Sequence, residues 1–123
     1  MFAICAFNDR MEWYGSTAGA ALPTLHPATQ TSLESAISWV NHISAGGLTD
    51  IYSPYVAASN LILPKLSTGN QHHPYAVAPV ENTLPVIVLV TDGSVQNERD
   101  IVAFASKEEN KRIRTFCFGA IVL

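Results

Sequence analysis

Residues 84–95 read LPVIVLVTDGSV, and the change of character inside this stretch decides the fold class. Val86 to Val90 is an unbroken apolar run, mostly β-branched, that stops at Thr91, Asp92, Gly93 and Ser94. A run this short, with no polar alternation, predicts a strand covered on both faces, as in parallel sheets. Polar and glycine residues directly after such a strand lie at its carboxyl end, the edge where open α/β sheets gather ligands. Asp92 is the one acidic residue of the stretch, so chemistry there begins with its carboxylate.

Downstream, residues 96–110 predict a helix with Ile101, Phe104 and Ala105 inward, and residues 113–123 a second long apolar strand. Upstream, residues 65–83 include His72 and His73, show no apolar periodicity and predict a surface insertion. Ser53 as N-cap with Pro54 at the first helical position predicts a helix to about Leu63, stopped by Pro64. Before it, Thr31 and Glu34 have the spacing of a capping box. Leu33, Ile37, Val40 and Ile43 then recur as one apolar helical stripe, and Gly46 and Gly47 supply a left-handed termination after Ala45. At the start, residues 2–8 predict a strand, Asn8 to Arg10 a turn and residues 11–14 a short antiparallel return. Residues 15–30, rich in Gly, Ala, Thr and Pro, predict a loop. Strands alternating with helices argue for an α/β fold with a mostly parallel sheet and helices on both faces. A chain of 123 residues makes this one domain.

Composition narrows the function classes. A net charge of −3 gives no basic footprint for nucleic acid. Lys107, Lys111, Arg112 and Arg114 do cluster, but Glu108 and Glu109 interrupt them, so a solvated helix end is expected. No apolar run approaches the roughly 20 residues that span a bilayer. The N-terminus lacks the charged-then-apolar layout of a signal peptide, which implies a cytoplasmic, reducing location. Cys5 and Cys117, each in an apolar strand-like run, are read as small buried hydrophobes rather than a disulfide. Trp13 and Trp39 are read as packing residues. There is no phosphate loop, no dinucleotide-binding glycine pattern and no recognisable nucleophile–base spacing.

Two polar clusters remain: Gly46 to Asp50 between two predicted helices, and Thr91 to Gly93 at a strand end. A Thr hydroxyl and an Asp carboxylate are hard oxygen donors, suited to Mg²⁺ or Ca²⁺ rather than to a soft metal.

The order of elements, together with GGLTDI at residues 46–51 and VIVLVTDG at residues 86–93, resembles the von Willebrand factor type A domain, closest to the inter-alpha-trypsin inhibitor heavy chain group. The likeness covers nearly the whole chain. The family usually writes the first motif as GGTDI or GGTNI, so Leu48 is a one-residue insertion. The resemblance implies a Rossmann-like, doubly wound fold bearing a metal-ion-dependent adhesion site. Thr49 would match the family's loop threonine, and Asp92 its aspartate after the fourth strand. The ion, Mg²⁺ or Ca²⁺, keeps an open position that an acidic side chain of a partner protein completes. The family's main ligands, Asp-x-Ser-x-Ser at the end of its first strand, are absent from this sequence. By the family's order the chain starts at the second strand and stops after the fifth, a partial domain over residues 1–123 that lacks the central first strand and the last helix and strand. Two apolar strands are then expected to keep unpaired edges or to pair with each other. The expected function is a protein-binding module with an incomplete ion site and weak Mg²⁺ or Ca²⁺ affinity. The alternatives are a Mg²⁺-dependent Rossmann-like phosphatase acting through Asp92, and a non-functional fragment.

Overall fold

Asn8 turns the chain at its first corner. Its N–H donates to the Arg10 carbonyl at 2.9 Å, and its side-chain oxygen accepts from the Arg10 N–H at 2.8 Å. Such local bonds are why Asn favours turns. They close a hairpin of β1 (Cys5–Phe7) and β2 (Met11–Trp13), antiparallel, with Cys5 opposite Trp13 and Phe7 opposite Met11. The computed structural model describes residues 1–16, 23–44, 46–63, 84–92 and 97–119. Within them the chain is a small α/β protein with three α-helices and two two-stranded sheets. The strand expected over residues 2–8 contracts to Cys5–Phe7 because its partner is equally short. Phe2 instead exchanges two backbone hydrogen bonds with His26, at 2.8 and 2.7 Å.

Helix α1 (Gln30–Asn41) begins earlier than its capping pattern suggested. The N-cap is Thr29, whose hydroxyl accepts from the Ser32 N–H while the Ser32 hydroxyl accepts from the Thr29 N–H at 3.1 Å. Thr31 has no part in this cap, and Glu34 instead accepts from the Gln30 amide at 2.6 Å. The apolar stripe has the expected period but faces outward: Leu33, Ile37, Val40 and Ile43 are all exposed. The helix is seated by its other face. Ala36 is buried, and the Trp39 ring lies 5.8 Å from that of Tyr14, beside β2. A methyl side chain lets the helix axis approach closely, and the larger apolar groups are left outside. The helix also closes at Asn41, short of the glycines, with the His42 N–H on the Trp39 carbonyl and the Ile43 N–H on the Val40 carbonyl.

The other half is a parallel β-α-β unit. Strand β3 (Val86–Thr91) and strand β4 (Arg114–Gly119) run in register from Val86–Arg114 to Thr91–Gly119, with α3 (Glu98–Ala105) between them in sequence. The expected parallel pairing thus holds for this pair, while β1 and β2 form a separate sheet. Helix α2 (Tyr52–Ile62) packs on one side of the pair, where the Tyr55 hydroxyl meets the Thr115 hydroxyl at 2.9 Å. Tyr52 and Tyr55 both set their rings edge-on to Phe104 of α3, at 6.2 and 6.0 Å. The core is Trp13, Ala36, Ile51, Tyr55, Phe104 and Ile113.

The other side of the pair is bare. Val86, Val88, Val90, Phe116 and Phe118 are exposed, Val90 by 61%. This corrects the expectation of a strand covered on both faces: an unbroken apolar run marks two apolar faces, whether or not both have a cover. Helix α3 is shorter than the expected 96–110. It stops at Ala105, where the buried Asn110 amide donates to the Phe104 carbonyl at 2.7 Å. The chain then makes a 3₁₀ turn over Glu108–Asn110, and Lys107, Lys111, Arg112 and Arg114 are exposed, Lys111 paired with Glu108. Both cysteines are free; Cys5 is half-buried, but Cys117 is exposed, which corrects its reading as a buried residue. His72 and His73, like the rest of residues 64–83, lie outside the described residues.

Ile51 is 1% exposed. Ile51→Ala is expected to cost roughly 2–5 kcal/mol, the range for truncating a buried aliphatic side chain, read from urea denaturation. Burial pushes the Cys5 thiol up to about 11. Timed alkylation followed by mass spectrometry is therefore expected to label exposed Cys117 well before Cys5, since the thiolate is the nucleophile.

Candidate functional site

Three turns meet at one end of the molecule. The first is Asn8 to Arg10 after β1. The second is the loop of residues 46–50 between α1 and α2. The third is Thr91 and Asp92 at the end of β3. The Asn8 amide donates to the Gly46 carbonyl at 2.8 Å, and the Asp50 N–H donates to the Asn8 carbonyl at 2.9 Å. Gly47 makes the approach possible. Its φ is +82°, and a Cβ there would lie 2.9 Å from an Asp9 carboxylate oxygen and 3.1 Å from the Asn8 amide nitrogen. Only glycine tolerates both the left-handed dihedral and the crowding.

Asp50 fixes the loop from the other direction. One carboxylate oxygen accepts the N–H groups of Tyr52 at 3.0 Å and Ser53 at 3.3 Å, and the other accepts the Ser53 hydroxyl at 2.5 Å. The Asn97 amide, just ahead of α3, reaches the first oxygen at 3.0 Å. The N-cap position of α2 is Ile51 rather than Ser53, and the Asp50 carboxylate one residue ahead receives the N–H groups of the first turn and ties α2 to the start of α3. The Ser53 hydroxyl, helped by the Asn97 amide and the two backbone N–H groups, holds the Asp50 carboxyl below its ordinary 3.8, against the opposing effect of partial burial. An Asp just ahead of a helix start is itself a capping signal, and it was available in the sequence.

Between the turns lies a cleft of about 410 Å³, lined among others by Asn8, Arg10, Ser44, Thr49, Thr91 and Asp92. Thr49 is half-buried there and Asp92 exposed. The two candidate ligands, 43 positions apart by their numbers, thus border the same space. Thr49 and Asp92 bring one hydroxyl and one carboxylate, whereas Mg²⁺ demands about six oxygens in near-octahedral array. Among the described residues no group of three or more His, Cys, Asp or Glu is placed to hold a metal. The neighbouring carboxylate, Asp50, is already satisfied by four donors. The donor set does not fit a tightly held resident ion. No family model, curated protein or solved structure matches the chain.

The lowered pKa of Asp50 sets a pH dependence. A carboxyl depressed in the folded state contributes stability above its unfolded pKa and loses it as pH falls through the folded one. Stability is expected to hold above about pH 5 and to decline below 3.8, with a smaller decline in Asp50→Asn. At neutral pH that variant is expected to lose roughly 0.5–2 kcal/mol, the range for a lost helix cap, in a urea titration.

Proposed function

We propose that the chain is a protein-binding module of adhesion type. It resembles a Rossmann-like von Willebrand factor type A domain, and its recognition rim is the cleft bordered by Thr49 and Asp92. The observation that carries this reading is the convergence of two oxygen-bearing turns, remote in sequence, on one cleft at the carboxyl end of β3. Glycine-rich and strand-end loops at that edge are where α/β folds place recognition. The partner is a protein presenting an acidic side chain, for which Arg10 offers a cation and Thr49 a hydroxyl donor on the same cleft. The ion site is an incomplete remnant, so binding of Mg²⁺ or Ca²⁺ is weak. Among the described residues no helix is long and apolar enough to cross a membrane. The two free cysteines fit a reducing compartment, which supports a cytoplasmic location.

Calorimetric titration with Mg²⁺ is expected to give a dissociation constant of millimolar order, the weak end of the range for oxygen-ligand sites. Micromolar affinity would overturn the incomplete-site reading. In a p-nitrophenyl phosphate assay with Mg²⁺, wild type and Asp92→Asn are expected to be equally inert. Turnover that disappears in Asp92→Asn would transfer the assignment to a phosphatase.

A further inference from the structure

Among the described residues β1 and β3 each pair on one side only, and both border the same two cavities. In the hairpin, Asn8 bonds Arg10 and Tyr14 bonds Ile4, so the hydrogen-bonded residues of β1 are the even-numbered ones. Backbone groups alternate in direction along a strand, so those of Cys5 and Phe7 point away from β2. In the parallel pair the Arg114 N–H donates to the Pro85 carbonyl, which sets the phase of that ladder. The backbone groups of Val86, Val88 and Val90 therefore point away from β4.

Both outward edges open onto one slot. At its far end a cavity of about 390 Å³ is lined by Met1, Phe2 and Ala3, just ahead of β1, and by Val86 to Leu89 of β3. At its near end the 410 Å³ cleft is lined by Cys5 to Asn8 and by Val90 to Asp92. Cys5 and Phe7 border both, so the two cavities adjoin along β1. Amino ends lie with amino ends and carboxyl ends with carboxyl ends, so β1 and β3 run the same way. The indole N–H of Trp13 belongs to the same place: the side chain lines the slot, is 3% exposed, and finds no hydrogen-bond partner among the described residues.

We propose that this slot accepts an extended segment of a partner protein as a strand inserted between β1 and β3, parallel to both. Two rows of backbone donors and acceptors facing each other select a peptide backbone over any other occupant. The side-chain chemistry follows from the walls. Tyr55, Ala58 and Leu61 of α2 line the far part, so the segment begins as an unbroken apolar, β-branched run. Asn8, Arg10, Thr49 and Asp92 line the near part, so it ends in hydroxyl-bearing residues. This inference needs no ion and stands apart from the acidic-partner reading of the rim.

The test is a calorimetric titration of the whole chain, with EDTA present, using the blocked peptide acetyl-KKVTVIVTS-amide. Saturable one-to-one binding is expected, weakened at least tenfold when alternate peptide nitrogens are methylated. Val88→Pro is expected to weaken it as much while leaving the circular dichroism spectrum unchanged. Its ring removes an N–H that faces the slot rather than β4, and edge positions tolerate proline. Absence of saturable binding, or equal affinity of the methylated peptide, would overturn the proposal, and the methylated peptide decides even if Val88→Pro fails to fold. Sedimentation showing a dimer that the peptide does not dissociate would also overturn it, by filling the slot with a second copy.

Discussion

The Asp50 carboxylate is the point on which the two halves of the molecule are fastened. It receives two backbone N–H groups and a hydroxyl from the first turn of α2, and an amide from Asn97 ahead of α3, while its own N–H reaches back to Asn8 after β1. A charged acceptor that satisfies helix-terminal donors is worth more than a neutral one. Five contacts through one residue place the loop between α1 and α2 against the ends of both sheets. Without that fastening, Thr49 has no reason to border the same cleft as Thr91 and Asp92.

The same fastening explains why the core is uneven. Ile51, adjacent to Asp50, is among the most buried side chains, and Tyr55 of α2 and Phe104 of α3, also buried, pack edge to face. Away from that centre the apolar residues have fewer neighbours. Among the described residues the outer faces of α1 and of the β3–β4 pair together expose eight large apolar side chains, among them Ile37, Val88 and Phe118. Exposed contiguous apolar surface of this kind marks an interaction site or an association hazard.

What the sequence disclosed was periodicity and turn chemistry. The run at residues 86–90 is a strand and stops at Thr91, because β-branched residues fit a pleat and Asp92 does not prolong it. The helices over residues 30–41 and 52–62 followed from apolar spacing and from Pro54. What it did not disclose was orientation. Leu33, Ile37, Val40 and Ile43 form a correct helical row, but which face of α1 turns inward depends on Ala36 fitting against the hairpin, and a small side chain gives no hydrophobic signal. The caps were displaced for a related reason: Thr29, Thr31, Asp50 and Ser53 all have capping chemistry, and geometry beyond the motif chose among them. At the site, Thr49 and Asp92 were legible as oxygen donors at loop positions. Asn8 and Asn97, which hold those loops in place, were not, because an amide in a turn carries no distinctive pattern.

The two ladders also differ from the Asp50 junction in how far along the chain they reach. The hairpin closes across a single tight corner, and β3 finds β4 after one intervening helix. The bonds from Asp50 to Asn8 and to Asn97 span 42 and 47 positions. Closing a long loop costs entropy before any contact rewards it, and local pairings form first. The topology therefore favours closing each small unit locally before the long-range bonds of Asp50 join them.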